Sequence, residues 1–144
     1  MNKVKKSPTS ALADAHRALL KDLADLERLA EPAVALEAAG AGARLEALRE
    51  HLGKHFRFEE QSGYMQAVLA RAPHYERRVQ RLREEHDELW NELAALIIQA
   101  GGLPARDEEF RQAVRAWVEH VRDHEARENV LVEDTFNTEV AAGD

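Results

Sequence analysis

The chain has 144 residues, with 20 basic and 27 acidic side chains for a formal net charge of -7, 44% hydrophobic residues and no cysteine. That length suits one domain with a single good core, and the missing cysteines remove disulfides, thiolate nucleophiles, iron-sulfur clusters and Cys-type zinc sites together. Lys3, Lys5 and Lys6 are too few for a nucleic-acid patch and no run approaches the roughly 18 apolar residues of a membrane span, so the expectation is a soluble, cytoplasmic protein with no nucleic-acid or membrane partner.

Residues 1–8 read as a flexible arm, and the Ser7-Pro8-Thr9-Ser10 run offers a helix start. From there Leu12, His16, Leu19, Leu23 and Leu26 recur at three- and four-residue steps, the signature of one buried helical stripe that ends near Ala30. Glu31-Pro32 and Gly40-Ala41-Gly42 break the pattern and predict a loop, with a short extra turn over 33–39. A second helix is expected from Ala43 to Arg71, turning Leu45, Leu48, His51, Leu52, His55, Phe56, Glu59 and Val68 inward, with a weak point at Gly63.

Ala72-Pro73 stops that helix, because a residue before proline is driven out of the helical region while proline suits a first turn. The third helix carries Val79, Leu82, His86, Leu89, Leu93, Leu96 and Ile97 to a stop at Gly101-Gly102. Pro104 opens the fourth, which turns Phe110, Val114, Trp117, Val121, His124, Glu128 and Leu131 inward before fraying over 137–144. Tyr64, Trp90 and Phe136 are expected as scattered exposed aromatics, which are ordinary on a surface and set no oligomeric state.

Four helices, short connections and no two-residue alternation predict an all-α, antiparallel up-down-up-down four-helix bundle over 9–136. The halves also look duplicated. Laying His16 on His86 matches leucine with leucine at 19/89, 23/93 and 26/96, and laying His55 on His124 matches a whole His-x3-His-x3-Glu face, His51, His55 and Glu59 on His120, His124 and Glu128, with Glu50 on Glu119. A duplicated hairpin gives a pseudo-two-fold axis, and residues repeated about it meet at the centre.

Side chains four apart on a helix share a face, about 6 Å from one another. A histidine inside an apolar stripe is by itself an ordinary core residue, and a His-x3-Glu step by itself an ordinary charged face. Together they would bury two carboxylates beside four histidines, which costs on the order of several kcal/mol unless the charges are paired or metal-bound. His16, His55, Glu59, His86, His124 and Glu128 are therefore the candidate metal ligands. They are too many for one tetrahedral zinc and suit a dinuclear centre, with iron first and a manganese, mixed-metal or zinc pair as rivals.

His16, the segment from His55 to Glu60 followed by Met65 and Pro73, the Glu85-His86 pair and His124-x3-Glu128 resemble the hemerythrin-like, or HHE cation-binding, domain family over nearly the whole chain. The resemblance implies a four-helix bundle around two iron ions with an oxo or hydroxo bridge, held by His16, His55, Glu59, His86, His124 and Glu128, that binds dioxygen or in some members reacts with peroxide or nitric oxide or senses iron. The chain departs from the oxygen carriers at Leu82, where they have a histidine four before His86, and at Glu128-Asn129, where they end in His-x4-Asp. It looks like the branch with two matching His-x3-Glu steps.

His51 and His120 stand one turn before the ligand pairs and are either further ligands or residues that orient ligands. His74, just after Pro73, is expected as an exposed helix-start residue. The preferred reading is a di-iron protein for storage, sensing or oxidative-stress defence that meets a small diatomic ligand or peroxide. The alternatives are a catalase-like or oxidase enzyme and a metal-free helical interaction module.

Overall fold

A computed structural model describes residues 8–29, 38–62, 64–102 and 108–142. The described residues are helical almost throughout, with no strand among them. Helix α1 spans Pro8–Leu29, and the second rod consists of α2 (Ala38–Arg57), one π-helical turn (Phe58–Ser62) and α3 (Tyr64–Arg71). A 3-10 turn (Pro73–Tyr75) leads into α4 (Glu76–Gly102), and α5 (Glu108–Ala142) is the fourth rod. Around the bundle α1 packs on α2 and α5, and α4 completes the ring against the same two helices. No helix among the described residues is long and apolar enough to cross a membrane.

The break at Ala72-Pro73 falls where the sequence puts it. Ala72 leaves the helical region at φ -136° and ψ 72°, and Pro73 begins the 3-10 turn, where its missing N–H costs nothing. One expectation is corrected: Gly40-Ala41-Gly42 is not a loop but lies in the first turns of α2. Two glycines cost roughly 1 kcal/mol each against alanine, yet the segment is otherwise alanine-rich and Leu45 and Leu48 anchor the next turn in the core. The expected arm before Pro8, the Glu31-Pro32 break, Gly63 and Pro104 lie outside the described residues, as do the side chains beyond Phe136.

Among the described residues the buried apolar side chains form two separate clusters. The larger joins Leu19, Leu23, Leu45, Leu52, Phe56, Leu89, Leu93, Trp117 and Val121, and the smaller joins Leu12, Tyr64, Met65, Val68, Val79, Leu82 and Leu131. Trp117 buries its indole and donates its Nε1–H to the Leu89 carbonyl at 3.0 Å, so the ring is accommodated without an unpaired donor. Along every rod the chain passes from one cluster to the other through a histidine or glutamate: Leu12, His16, Leu19 on α1 and Leu82, His86, Leu89 on α4. A polar layer is thus sealed above and below by close-packed hydrocarbon.

Burying a leucine stabilises by roughly 1.5–3 kcal/mol, and deleting it leaves a cavity as well. Leu93→Ala, at a fully buried position, is expected to destabilise by about 2–5 kcal/mol in chemical denaturation, whereas Ile98→Ala, at a residue 77% exposed, stays within about 0.5 kcal/mol. Equal losses in the two variants would contradict this core assignment.

Candidate metal centre

The polar layer gathers His16 from α1, His55 from α2, Glu59 from the π turn, His86 from α4, and His124 and Glu128 from α5, all buried. Glu59 Oε2 lies 3.1 Å from His16 Nε2 and 3.4 Å from His55 Nε2, while its Oε1 lies 3.2 Å from His86 Nε2. Glu128 Oε1 lies 3.2 Å from His16 Nε2 and 3.4 Å from His124 Nε2, and its Oε2 3.5 Å from His86 Nε2. Two groups of four donors result, His16-His55-Glu59-Glu128 and His86-His124-Glu59-Glu128, each with its donor atoms within 4.8 Å of one another. They share both carboxylates. Two cations held there would therefore have Glu59 and Glu128 in common.

The imidazoles are held from behind. His16 Nδ1–H donates to Asn129 Oδ1 at 3.1 Å, His86 Nδ1–H to Glu60 Oε2 at 2.7 Å and His124 Nδ1–H to Glu85 Oε1 at 2.8 Å. A proton fixed on Nδ1 leaves the Nε2 lone pair for the centre, and the bond locks the ring plane. Glu60 and Asn129 each directly follow a shared glutamate, so each hairpin orients a histidine of the other. Glu85 is itself fixed by Arg127 at 2.8 Å. Tyr64 donates its hydroxyl to Glu128 Oε2 at 2.5 Å.

These contacts set the charges. Burial opposes protonation of His16 and His86, but the Glu128 and Glu59 carboxylates beside them outweigh it and push both up to about 10. Burial likewise raises Glu59 and Glu128, yet the surrounding imidazoles win and hold both below the usual carboxylate range. Burial first, and Glu128 second, push the Tyr64 phenol far above its ordinary value, so it stays a donor.

The residues fit a pair of cations on a further observation. His55 Nε2, His86 Nε2, His124 Nε2 and Glu59 Oε1 are buried without a hydrogen-bond partner. Unpartnered buried polar atoms are costly, and here they converge on one spot and are of the types that bind divalent transition metals.

The six expected ligands are brought together; His51 and His120 are not. His51 was expected on the inner face but is exposed and pairs with Asp22, and His120 Nδ1 pairs with Glu92 at 3.0 Å. The reason is helical drift. A four-residue step overshoots a 3.6-residue turn by about 40°, so a histidine eight residues before the shared glutamate has rotated out to the rim. His74 is exposed, as expected.

Tyr64 corrects the aromatic expectation: it is 1% exposed, and Trp90 and Phe136 are half-buried. The orienting roles of Glu60, Glu85 and Asn129 carry no periodic signal of their own, although Glu60 and Asn129 do match in the internal repeat. Glu125, buried beside His124, has no such match and was missed.

A four-helix bundle whose halves share two buried glutamates between paired histidines defines a cation-binding helical domain. The sequence model of the hemerythrin HHE cation binding domain matches residues 7–134, and the chain belongs to that family. No curated protein and no solved structure matches it.

Since each shared glutamate serves both positions, Glu59→Ala or Glu128→Ala is expected to abolish stable binding of the pair while the bundle still folds on its apolar clusters. Metal analysis showing two cations per chain in Glu59→Ala would refute the sharing.

With the cations stripped, the imidazole pKa values predict a pH profile. His16 and His86 are raised from 6.5 to about 10, so the stability they contribute is complete below pH 6.5 and lost as pH rises to about 10. Glu59 and Glu128 are lowered from 4.5, so their contribution is present above pH 4.5 and lost as pH falls through their folded values. The melting temperature of the stripped protein should therefore peak between about pH 4.5 and 6.5 and decline toward pH 10. A melting temperature that stays flat or rises from pH 6.5 to 10 would contradict the imidazole-carboxylate pairing.

Proposed function

We propose that the chain holds two iron ions in the shared-glutamate site and uses them to bind or react with dioxygen, peroxide or nitric oxide in storage, sensing or oxidative-stress defence. The sharing of Glu59 and Glu128 by two histidine pairs carries this reading. Mixed imidazole and carboxylate donors suit iron, and an iron pair supplies electrons to a small oxidant without any protein nucleophile.

The chain's own residues prepare the site. Asn129, Glu60 and Glu85 aim three imidazoles, and Phe56 stacks on His86 at 4.0 Å between ring centroids. Tyr64 donates a hydrogen bond to Glu128 Oε2 and so disperses the charge of one shared carboxylate. Small ligands have two approaches. A cleft of about 320 Å³ between α1 and α5 reaches His16 and Asn129, and another of about 210 Å³ reaches His86, Glu60 and Trp90. The two are related by the internal repeat, and neither suggests a bulky organic substrate.

The test is metal analysis of purified protein joined to an optical spectrum before and after admission of air to the ferrous form. The expected result is two irons per chain and a ferric charge-transfer spectrum that develops on oxidation. Zinc alone in that analysis, or an iron spectrum indifferent to oxygen, peroxide and nitric oxide, would overturn the proposal. Oxygen evolution from added peroxide would place the protein with catalase-like enzymes instead.

A further inference from the structure

The internal repeat that matches His55 with His124 also places Phe56 opposite Glu125, and there the chemistry of the halves diverges. Phe56 lies flat on His86, with 13° between the ring planes. Glu125 is a carboxylate, 3% exposed, and neither of its oxygens has a hydrogen-bond partner. Its Oε1 lies 3.7 Å from His55 Nε2, which is itself buried and without a partner.

The neighbouring buried carboxylates are all engaged: Glu59 and Glu128 face the imidazoles, and Glu85 binds His124 and Arg127. Glu125 has only the 3.7 Å approach to His55 Nε2 and no hydrogen bond. Arg127, two residues on, is turned toward Glu85 and Asp123 instead. An unpartnered buried carboxylate is among the costliest groups a core can hold, and a cation within reach is the most effective relief.

Resting on the dinuclear reading above, we propose that Glu125 is a fifth protein ligand to the cation held by His16, His55, Glu59 and Glu128. The position at His86 and His124 has only four protein donors, because Phe56 stands where a matching carboxylate would be. The two cations are then unequal. The one beside Glu125 binds more tightly and has less room for an external ligand, so a small ligand meets the cation at His86 and His124. Four of the donors to the cation beside Glu125 come from the repeat, and Glu125 against Phe56 breaks the repeat in the donor set itself.

The test is titration of the stripped protein with ferrous iron under anaerobic conditions against a competing chelator, followed by Mössbauer spectra of the loaded protein. The wild-type chain is expected to show two binding steps of unequal affinity and two distinct ferrous signals of equal area. Glu125→Gln, nearly isosteric but uncharged, should weaken the tighter step by more than the roughly 10–100-fold lost with a residue that only orients a ligand. The other step should hold, and the two signals should converge. Glu125→Leu, which suits the apolar surroundings, guards against a glutamine that disturbs folding and should show the same loss, with helicity by circular dichroism as the control. If both variants bind iron in the wild-type two steps with unchanged signals, Glu125 is no ligand and the proposal fails while the dinuclear reading stands. A wild-type chain that takes up no iron would sink both.

Discussion

The structure depends on one constraint, that the Glu59 and Glu128 carboxylates are buried at the midpoint of the bundle where no water reaches them. Each would cost several kcal/mol if left alone in that layer, on the order expected for any desolvated ion. Four imidazoles from four helices surround them, and in the absence of a metal the imidazole protons supply the compensating charge. Cations and protons therefore compete for the same place. The coupling of loading, acidity and stability follows from that competition rather than from any separate device.

Two apolar clusters make the constraint workable. The larger, built on Leu23, Leu52, Leu89, Leu93 and Trp117, and the smaller, built on Leu12, Tyr64, Val68 and Leu131, hold the helices in register whether or not the layer between them is filled. Precision within the layer comes from the bonds behind the ligands. Asn129 and Glu60 reach across from the hairpin opposite to the histidine they orient, so the halves of the bundle are coupled at the site itself. The outer histidines, His51 with Asp22 and His120 with Glu92, act instead within each hairpin at the rim, tying α1 to α2 and α4 to α5.

The duplication sets a symmetric frame, and single positions then break it. Glu125 against Phe56 is the sharpest case, a charged and an aromatic side chain at equivalent points beside the same centre. Glu85 is another, since its counterpart in the first half is Ala15 and His55 receives no matching carboxylate. Tyr64 adds a hydroxyl to one shared glutamate and not the other. Such differences make the two groups of donors chemically unequal.

The sequence by itself determined the helices, their buried stripes and the six converging residues, because leucine spacing and the His-x3-Glu steps are local patterns that any right-handed helix displays on one face. It also determined the stop at Ala72-Pro73, where covalent geometry leaves little choice. It misplaced the start of the second helix at Gly40-Gly42, since the penalty of two glycines is smaller than the gain from packing the turns that follow. Only the tertiary structure decided that His51 and His120 pair with Asp22 and Glu92 at the rim, since those partners stand on neighbouring helices. Only it showed Tyr64 inside and Glu125 unpartnered, because burial and hydrogen bonding are made by contacts between helices far apart in the chain, and no pattern within one helix records what a neighbour supplies.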